Sequence, residues 1–219
     1  MLKFDVITLF PQLFTSHFLE LPFKKALKLK KASYNTINLR DFSDPKDKYK
    51  SVDDKPYGGG TGMILMIEPL YKAITKAKKK NSKVILLSPR GEKFTQQKAR
   101  QLINEDHIIL VSGRYEGVDE RITNYIDETI SIGDYILSGG ELPALIIMEA
   151  VTRLIPGVLE DAQATQIESF SNSSKDLEYP QYTRPENFNG HEVPKVLLSG
   201  NHKEIQEWKD KNSTKIKEK

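Results

Sequence analysis

The stretch "HIILVSGRYEGVDERITNYIDETISIGDYILSGGELPA", His107 to Ala144, carries the reading of the fold. It opens with a continuous apolar strand (107–112) and breaks at Gly113. It then runs through a helical pattern, "VDERITNYI", into a second strand (127–132), and breaks again at Gly133, Gly139 and Gly140 before the apolar helix "ELPALIIMEAVTRLI". Strands that are apolar throughout, rather than alternating, belong to sheets covered on both faces. The same rhythm extends upstream. "LKFDVITLF" reads as a strand, with Asp5 inside an apolar run; "PQLFTSHFLE" and "FKKALKLKKA" read as helices and "SYNTINLR" as a strand. A helix opens at Pro69, followed by a strand at 83–88 and the helix "TQQKARQLINE". Alternation of this kind predicts an α/β fold built on a parallel sheet.

Two segments fall outside the rhythm. Asp41 to Met63 has no regular pattern, and irregular segments of that length are usually functional or disordered. After Pro156 and Gly157 the chain turns polar and rich in Ser, Asn and Pro, then recovers a charged helix around Ile205 and Trp208. The expected organisation is a catalytic domain at 1–157, a flexible linker at 158–178 and a small, mainly helical domain at 179–219.

Composition bounds the function. The 219 residues are 38% hydrophobic and 29% charged with a net charge of +3, so a packed core is affordable and any basic surface must be local. The absence of cysteine excludes disulfides, thiolate metal sites and a cysteine nucleophile, and fits a cytoplasmic protein. The first residues lack a signal-peptide pattern, and no apolar run is long enough for a membrane span, so no membrane partner is expected.

Three glycine-bearing segments follow predicted strands: "LLSPRGEK", "VSGRYEGVDER" and "SIGDYILSGGELPA". In open parallel sheets that edge is where ligands bind. The third segment matches neither G-x-G-x-x-G nor G-x-x-x-x-G-K-[ST], and it offers no cation to a phosphate. It offers backbone freed by glycine, a tyrosine and apolar Ile132, Ile136 and Leu137, a lining suited to an adenine ring or a thioether. The charges of "GRYEGVDER" read either as an ordinary loop and helix start or, at Glu116, as the partner of a ligand amine. "VDDKPYGGGTGM" supplies glycines for a lid or for a surface lying flat against a large substrate. The lysines at 24–31 and 76–80 read as solvated helix faces.

Taken in order, "VDDKPYGGGTGM", "LLSPRGEKF", "VSGRYEGVDERI", "SIGDYILSGGELPA", "RLIPGVL", "YTRPENFNGHEVPKVLLSGNH" and "IQEWK" closely resemble the TrmD family of bacterial tRNA (guanine-N1)-methyltransferases, in the SPOUT class. The resemblance implies S-adenosyl-L-methionine as methyl donor and N1 of guanosine 37, in the tRNA anticodon loop, as acceptor. It also implies a deep trefoil knot in the sheet and a homodimer with a composite active site; it leaves Mg²⁺ open as a further cofactor, with no metal ligands assigned. By the same resemblance the cofactor pocket comprises Leu87, Ser88, Pro89, Gly113, Glu116, Ile132, Gly133, Asp134, Tyr135, Ile136, Leu137, Gly139, Gly140 and Pro143. Arg153 matches the family's catalytic arginine. The family's catalytic aspartate, before Ser-Phe, is Glu168 here, with Asp161 and Asp176 the alternative carboxylates nearby. Gly58 and Gly59 are the expected tRNA contacts of the glycine loop, in which the family's proline is Thr61. Arg184, Lys195, Lys203 and Lys209 are the expected phosphate contacts of the C-terminal part, where "NSTKIKEK" stands in place of an arginine-rich end.

Two rival classes follow from the residues. A non-catalytic RNA-binding module of the same fold would fail to bind S-adenosylmethionine. A dinucleotide oxidoreductase is disfavoured, because no strand leads into G-x-G-x-x-G with an acid about 20 residues on.

Overall fold

The computed structural model describes residues 1–161, 164–171 and 176–215; parts of the expected linker (162–163 and 172–175) and the last four residues lie outside them. The chain divides into two compact units, Met1–Glu160 and Asp161–Lys219.

The first unit runs β1 (Leu2–Thr8), α1 (Gln12–Thr15), α2 (Phe23–Lys28), β2 (Ala32–Asn38), β3 (Asp53–Asp54), β4 (Ile64–Leu65), α3 (Ile67–Ala77), β5 (Ser82–Lys93), α4 (Gln96–Leu102), β6 (His107–Ser112), β7 (Glu128–Ser131) and α5 (Glu141–Thr152). Five strands form a sheet in the order β2-β1-β6-β5-β7. Every pairing in it is parallel. The central strand β6 is buried along its whole length. Ile108 and Leu110 pack into the cluster containing Ala144, Ile147, Met148 and Val151 of α5, whereas Ile109 and Val111 pack into the cluster containing Leu70, Ala73, Ile74 and Ala77 of α3. Coverage of both faces is why this strand reads as an unbroken apolar run.

Three local expectations are corrected. The segment from Pro11 is a four-residue α-helix followed by a 3₁₀ turn at His17–Leu19. The next helix starts at Phe23 as expected but stops at Lys28, with Lys30 at φ 55° turning the chain into β2. "VDERITNYI" forms a 3₁₀ helix over Glu120–Tyr125 rather than an α-helix. Ile122 is its single buried residue, too narrow an apolar stripe to hold a longer α-helix against the core.

β5 also continues past the expected end. It pairs with β7 through Leu87, loops out of register, and returns so that Ile130 faces both Leu87 and Glu92. Gly91 makes the return possible, because a Cβ there would stand 2.5 Å from the Ile130 nitrogen.

The second unit holds α6 (Ala164–Ile167), β8 (Asp176–Leu177) paired antiparallel with β11 (Thr214–Lys215), a hairpin of β9 (Asn187–Phe188) and β10 (His191–Glu192), α7 (Lys195–Leu198) and α8 (His202–Asn212). Asn201 caps α8 by accepting from Lys203 N and Glu204 N. Trp208 meets Tyr179 and Tyr182 edge-on, with ring centroids 6.4 and 6.2 Å away. The helix α8 matches the expected charged helix around Ile205 and Trp208, whereas α6, within the expected linker, α7 and the small antiparallel pairs were not legible in so polar a segment.

Candidate functional site

The ends of β5, β6 and β7 are neighbours, because Leu87 pairs with both Ser112 and Ile130. The segments that follow these strands therefore emerge side by side. Gly140 N donates to Gly113 O at 2.9 Å, and Gly139 bridges Arg114. A Cβ on Gly140 would stand 2.7 Å from Ser112 Cα and 3.0 Å from Gly113 N, so the two backbones touch only because glycine is there. The second and third glycine segments thus make one floor.

Glu141, the first residue of α5, fixes that floor. It is 1% exposed, accepts from Thr8 Oγ1 at 2.8 Å and pairs with Arg114 Nε at 2.9 Å. A carboxylate at a helix N-terminus is also favoured by the helix dipole. Arg114 further donates to Ser138 O at 3.3 Å and stacks over the Phe10 ring at 4.4 Å. This arginine is committed to the scaffold and does not serve a ligand phosphate.

The lining is apolar and open. Tyr135 and Leu137 are exposed and Ile136 is 80% exposed, so the loop presents apolar surface to whatever occupies the edge. Gly133 takes φ 147°, which brings the Tyr135 ring against its backbone, and the Tyr135 hydroxyl donates to Ile132 O at 3.4 Å. Asp134 is drawn outward to Lys93 at 2.5 Å. Pro143 is buried in the first turn of α5, Ser88 is half-buried and Pro89 is exposed.

The glycine loop joins the same edge through its base. Glu116 N donates to Met63 O, Leu65 N to Gly117 O and Asp119 N to Leu65 O, at 3.0, 3.0 and 2.9 Å. Gly62 lies against the exposed Glu116 side chain, whose Cγ would be 2.7 Å from a Cβ at that glycine. Arg121, hydrogen-bonded to Asp119, holds that carboxyl below its ordinary range despite partial burial.

On this floor, among the described residues, one buried side-chain polar atom is unmet. Ser112 is 2% exposed and its Oγ has no hydrogen-bond partner. Native structures leave few such groups, each at a cost of ~1–3 kcal/mol. An orphan hydroxyl, a glycine floor, an apolar wall and no uncommitted cation on that floor fit a sulfonium nucleoside better than a pyrophosphate. Among the described residues no group of three or more His, Asp or Glu side chains could hold a metal ion.

The other expected residues are placed within their own units. Arg153 is the half-buried C-cap of α5, its N–H donating to Glu149 O. Glu168, half-buried, follows α6 in the second unit. Arg184, Lys195 and Lys203 are exposed there, whereas Lys209 lies over the Tyr179 ring at 4.8 Å. Sequence reasoning missed Ser112 and the Thr8–Glu141–Arg114 anchor. The contact of Thr8 with Glu141 spans 133 residues, so no local pattern announces it.

Comparison with known proteins gives a concordant result. The family model described as "tRNA (Guanine-1)-methyltransferase TrmD" matches residues 2–219. A tRNA (guanine-N(1)-)-methyltransferase of Caldanaerobacter subterraneus subsp. tengcongensis is 53% identical over 214 residues, covering 97% of this chain and 87% of that protein. Proteins of the same name from Dictyoglomus turgidum and Clostridium tetani are 49% and 47% identical, covering 98% and 99% of this chain and 86% and 89% of their own.

Proposed function

This chain belongs to the tRNA (guanine-1)-methyltransferase TrmD family and methylates N1 of guanine in tRNA, and from that premise we propose that the methyl donor is S-adenosyl-L-methionine and the acceptor is guanosine 37. The observation that carries the donor is the strand edge itself, where Gly139 and Gly140 bring backbone against Ser112 and the Ser112 hydroxyl lacks a partner. Backbone groups of Ile132 to Leu137, Gly113 and Gly140 would hold the adenosine part, with Leu87, Ser88, Pro89 and Pro143 completing the wall. Glu116 would face the amino group of the methionine part. Enclosure of this pocket by a deep trefoil knot is part of the same proposal, as membership of the family implies.

When bound, S-adenosylmethionine supplies an electrophilic methyl group whose departure leaves a neutral thioether. The residues of this chain supply the rest. The Glu168 carboxylate accepts the proton from guanine N1, a general-base role typically worth ~10²–10⁴-fold. The added methylene of glutamate relative to aspartate lengthens its reach. The Arg153 guanidinium opposes the negative charge that spreads onto guanine O6, an interaction stronger in the transition state than in the ground state. Alignment of N1 with the methyl carbon lowers the barrier further, by on the order of 7–11 kcal/mol.

Residues 1–157 would then be the catalytic domain, 158–178 a linker and 179–219 an RNA-binding domain using Arg184, Lys195, Lys203 and Lys209, with Gly58 and Gly59 against the anticodon loop. Exposed Leu13, Leu19 and Leu21, with Leu142 and Ile146 on α5, support a homodimer that completes the active site. No helix of the described residues is long and apolar enough to cross a membrane. Action on tRNA in the cytoplasm is consistent with that. The test is methylation of tRNA transcripts carrying G37 or A37, with the modified base mapped: the reading expects N1-methylguanosine at 37 and no product from A37. Equal methylation of A37 would refute guanine specificity.

A further inference from the structure

Resting on the reading that the acceptor is an anticodon loop, we propose that Tyr57 is a stacking platform for an unpaired base of that loop. Tyr57 is 100% exposed, so its ring forgoes all the burial that an aromatic side chain ordinarily finds. It is nevertheless held in a defined place. Gly59 N donates to Pro56 O at 3.3 Å and Gly58 takes φ 85°, the signature of a type II turn with Tyr57 at its first corner. Proline before that corner narrows the backbone further.

The turn sits at the tip of the β3–β4 hairpin, whose base is closed by Asp53 opposite Leu65, Asp54 opposite Ile64, and Met66 N donating to Val52 O at 2.8 Å. The same base is stitched to residues 116–119 by the three backbone bonds described above, so the tip is anchored to the edge that carries the pocket. A Cβ at Gly58 or Gly59 would meet nothing within 4 Å. These glycines serve the turn's conformation and leave open space next to the ring. Proteins read RNA loops by splaying bases onto aromatic side chains, and a fully exposed ring held on a defined turn beside open space supplies the elements of such a contact.

The test uses the full-length protein and an anticodon stem-loop RNA, with Tyr57→Ala and Tyr57→Phe and a series of single abasic substitutions in the loop. Tyr57→Ala should weaken RNA binding about tenfold or more while Tyr57→Phe stays within about twofold of wild type, both keeping wild-type affinity for S-adenosylmethionine. One abasic position should weaken wild-type binding and have no further effect in Tyr57→Ala. Wild-type affinity in Tyr57→Ala, or penalties that add at every loop position, would overturn the platform. A change of oligomeric state in Tyr57→Ala without loss of RNA affinity would make the ring a subunit contact and also overturn it. Failure of the wild-type protein to bind the stem-loop at all would instead overturn the anticodon-loop reading.

Discussion

The starts and the ends of the same strands carry opposite kinds of polar chemistry. Near the starts, Ser82 Oγ meets His107 Nδ1 at 2.8 Å, His107 Nε2 meets Asp5 Oδ2 at 2.9 Å, and Asn35 Nδ2 donates to Asp5 Oδ1 at 2.9 Å. Serine, histidine and aspartate in line resemble a nucleophile, its base and an orienting acid. Yet the Ser82 oxygen also accepts from Lys79 N at 2.7 Å, and each member is occupied by its neighbours. This end is closed, and the chain of bonds ties four strands together. At the strand ends the polar inventory is poorer but incomplete, with Ser112 Oγ unmet and apolar side chains left in solvent. A ligand site is marked by interactions not yet made, rather than by the most suggestive constellation of side chains.

That contrast can be broken in four places. The largest effect belongs to Glu168→Gln, which should lower the single-turnover methylation rate by ~10²–10⁴-fold. Titration calorimetry should find its S-adenosylmethionine affinity unchanged; a near-normal rate would move the base to Asp161 or Asp176. Next is Gly140→Ala, whose Cβ would press on Ser112 Cα, Gly113 N and Ser112 Cβ. It should weaken S-adenosylmethionine binding about tenfold or more, in keeping with the ~1–3 kcal/mol cost of overpacking. His107→Ala should do the reverse, losing ~1–3 kcal/mol in denaturant unfolding because Ser82 and Asp5 lose their partner, with cofactor affinity intact. Weakened cofactor binding there would show that the two ends are coupled.

The smallest effect is pH-dependent. Burial alone would raise the Glu128 carboxyl, but hydrogen bonds from Lys98 and Lys83 outweigh it and hold it below its ordinary value of 4.5. A folded-state value below the unfolded one stabilises fully above about pH 4.5 and loses that contribution as pH falls through the folded value. Glu128→Gln should therefore cost about 1 kcal/mol at pH 7, and its unfolding curve should converge with that of wild type as pH falls below the carboxyl's lowered folded value. A constant gap across that range would assign the loss to packing.

Much of this was legible in the residues, for identifiable reasons. β6 and α3 announce themselves because both faces of the strand and one stripe of the helix are buried, which leaves a periodic record. The three glycine breaks fall together at one edge because a parallel sheet gathers successive strand ends there. Absence of a free cation excluded a phosphate cradle, and the committed Arg114 gives that exclusion its physical form. Asp5, conspicuous inside an apolar run, is explained by His107, 102 residues away. Such pairings leave no local trace, and neither does the register shift of β5 against β7, where Gly91 looks like any turn glycine. The helix read over "VDERITNYI" is a 3₁₀ helix at 120–125, because the apolar stripe behind its charges is one residue wide.

The most direct test of the open edge is calorimetric titration of S-adenosylmethionine into three proteins: wild type, Gly140→Ala and His107→Ala. One-site binding to wild type, a loss of about tenfold or more in Gly140→Ala and wild-type affinity in His107→Ala are the expected results. Absence of binding to wild type, or equal affinity in wild type and Gly140→Ala, would contradict the assignment of this edge as the cofactor site.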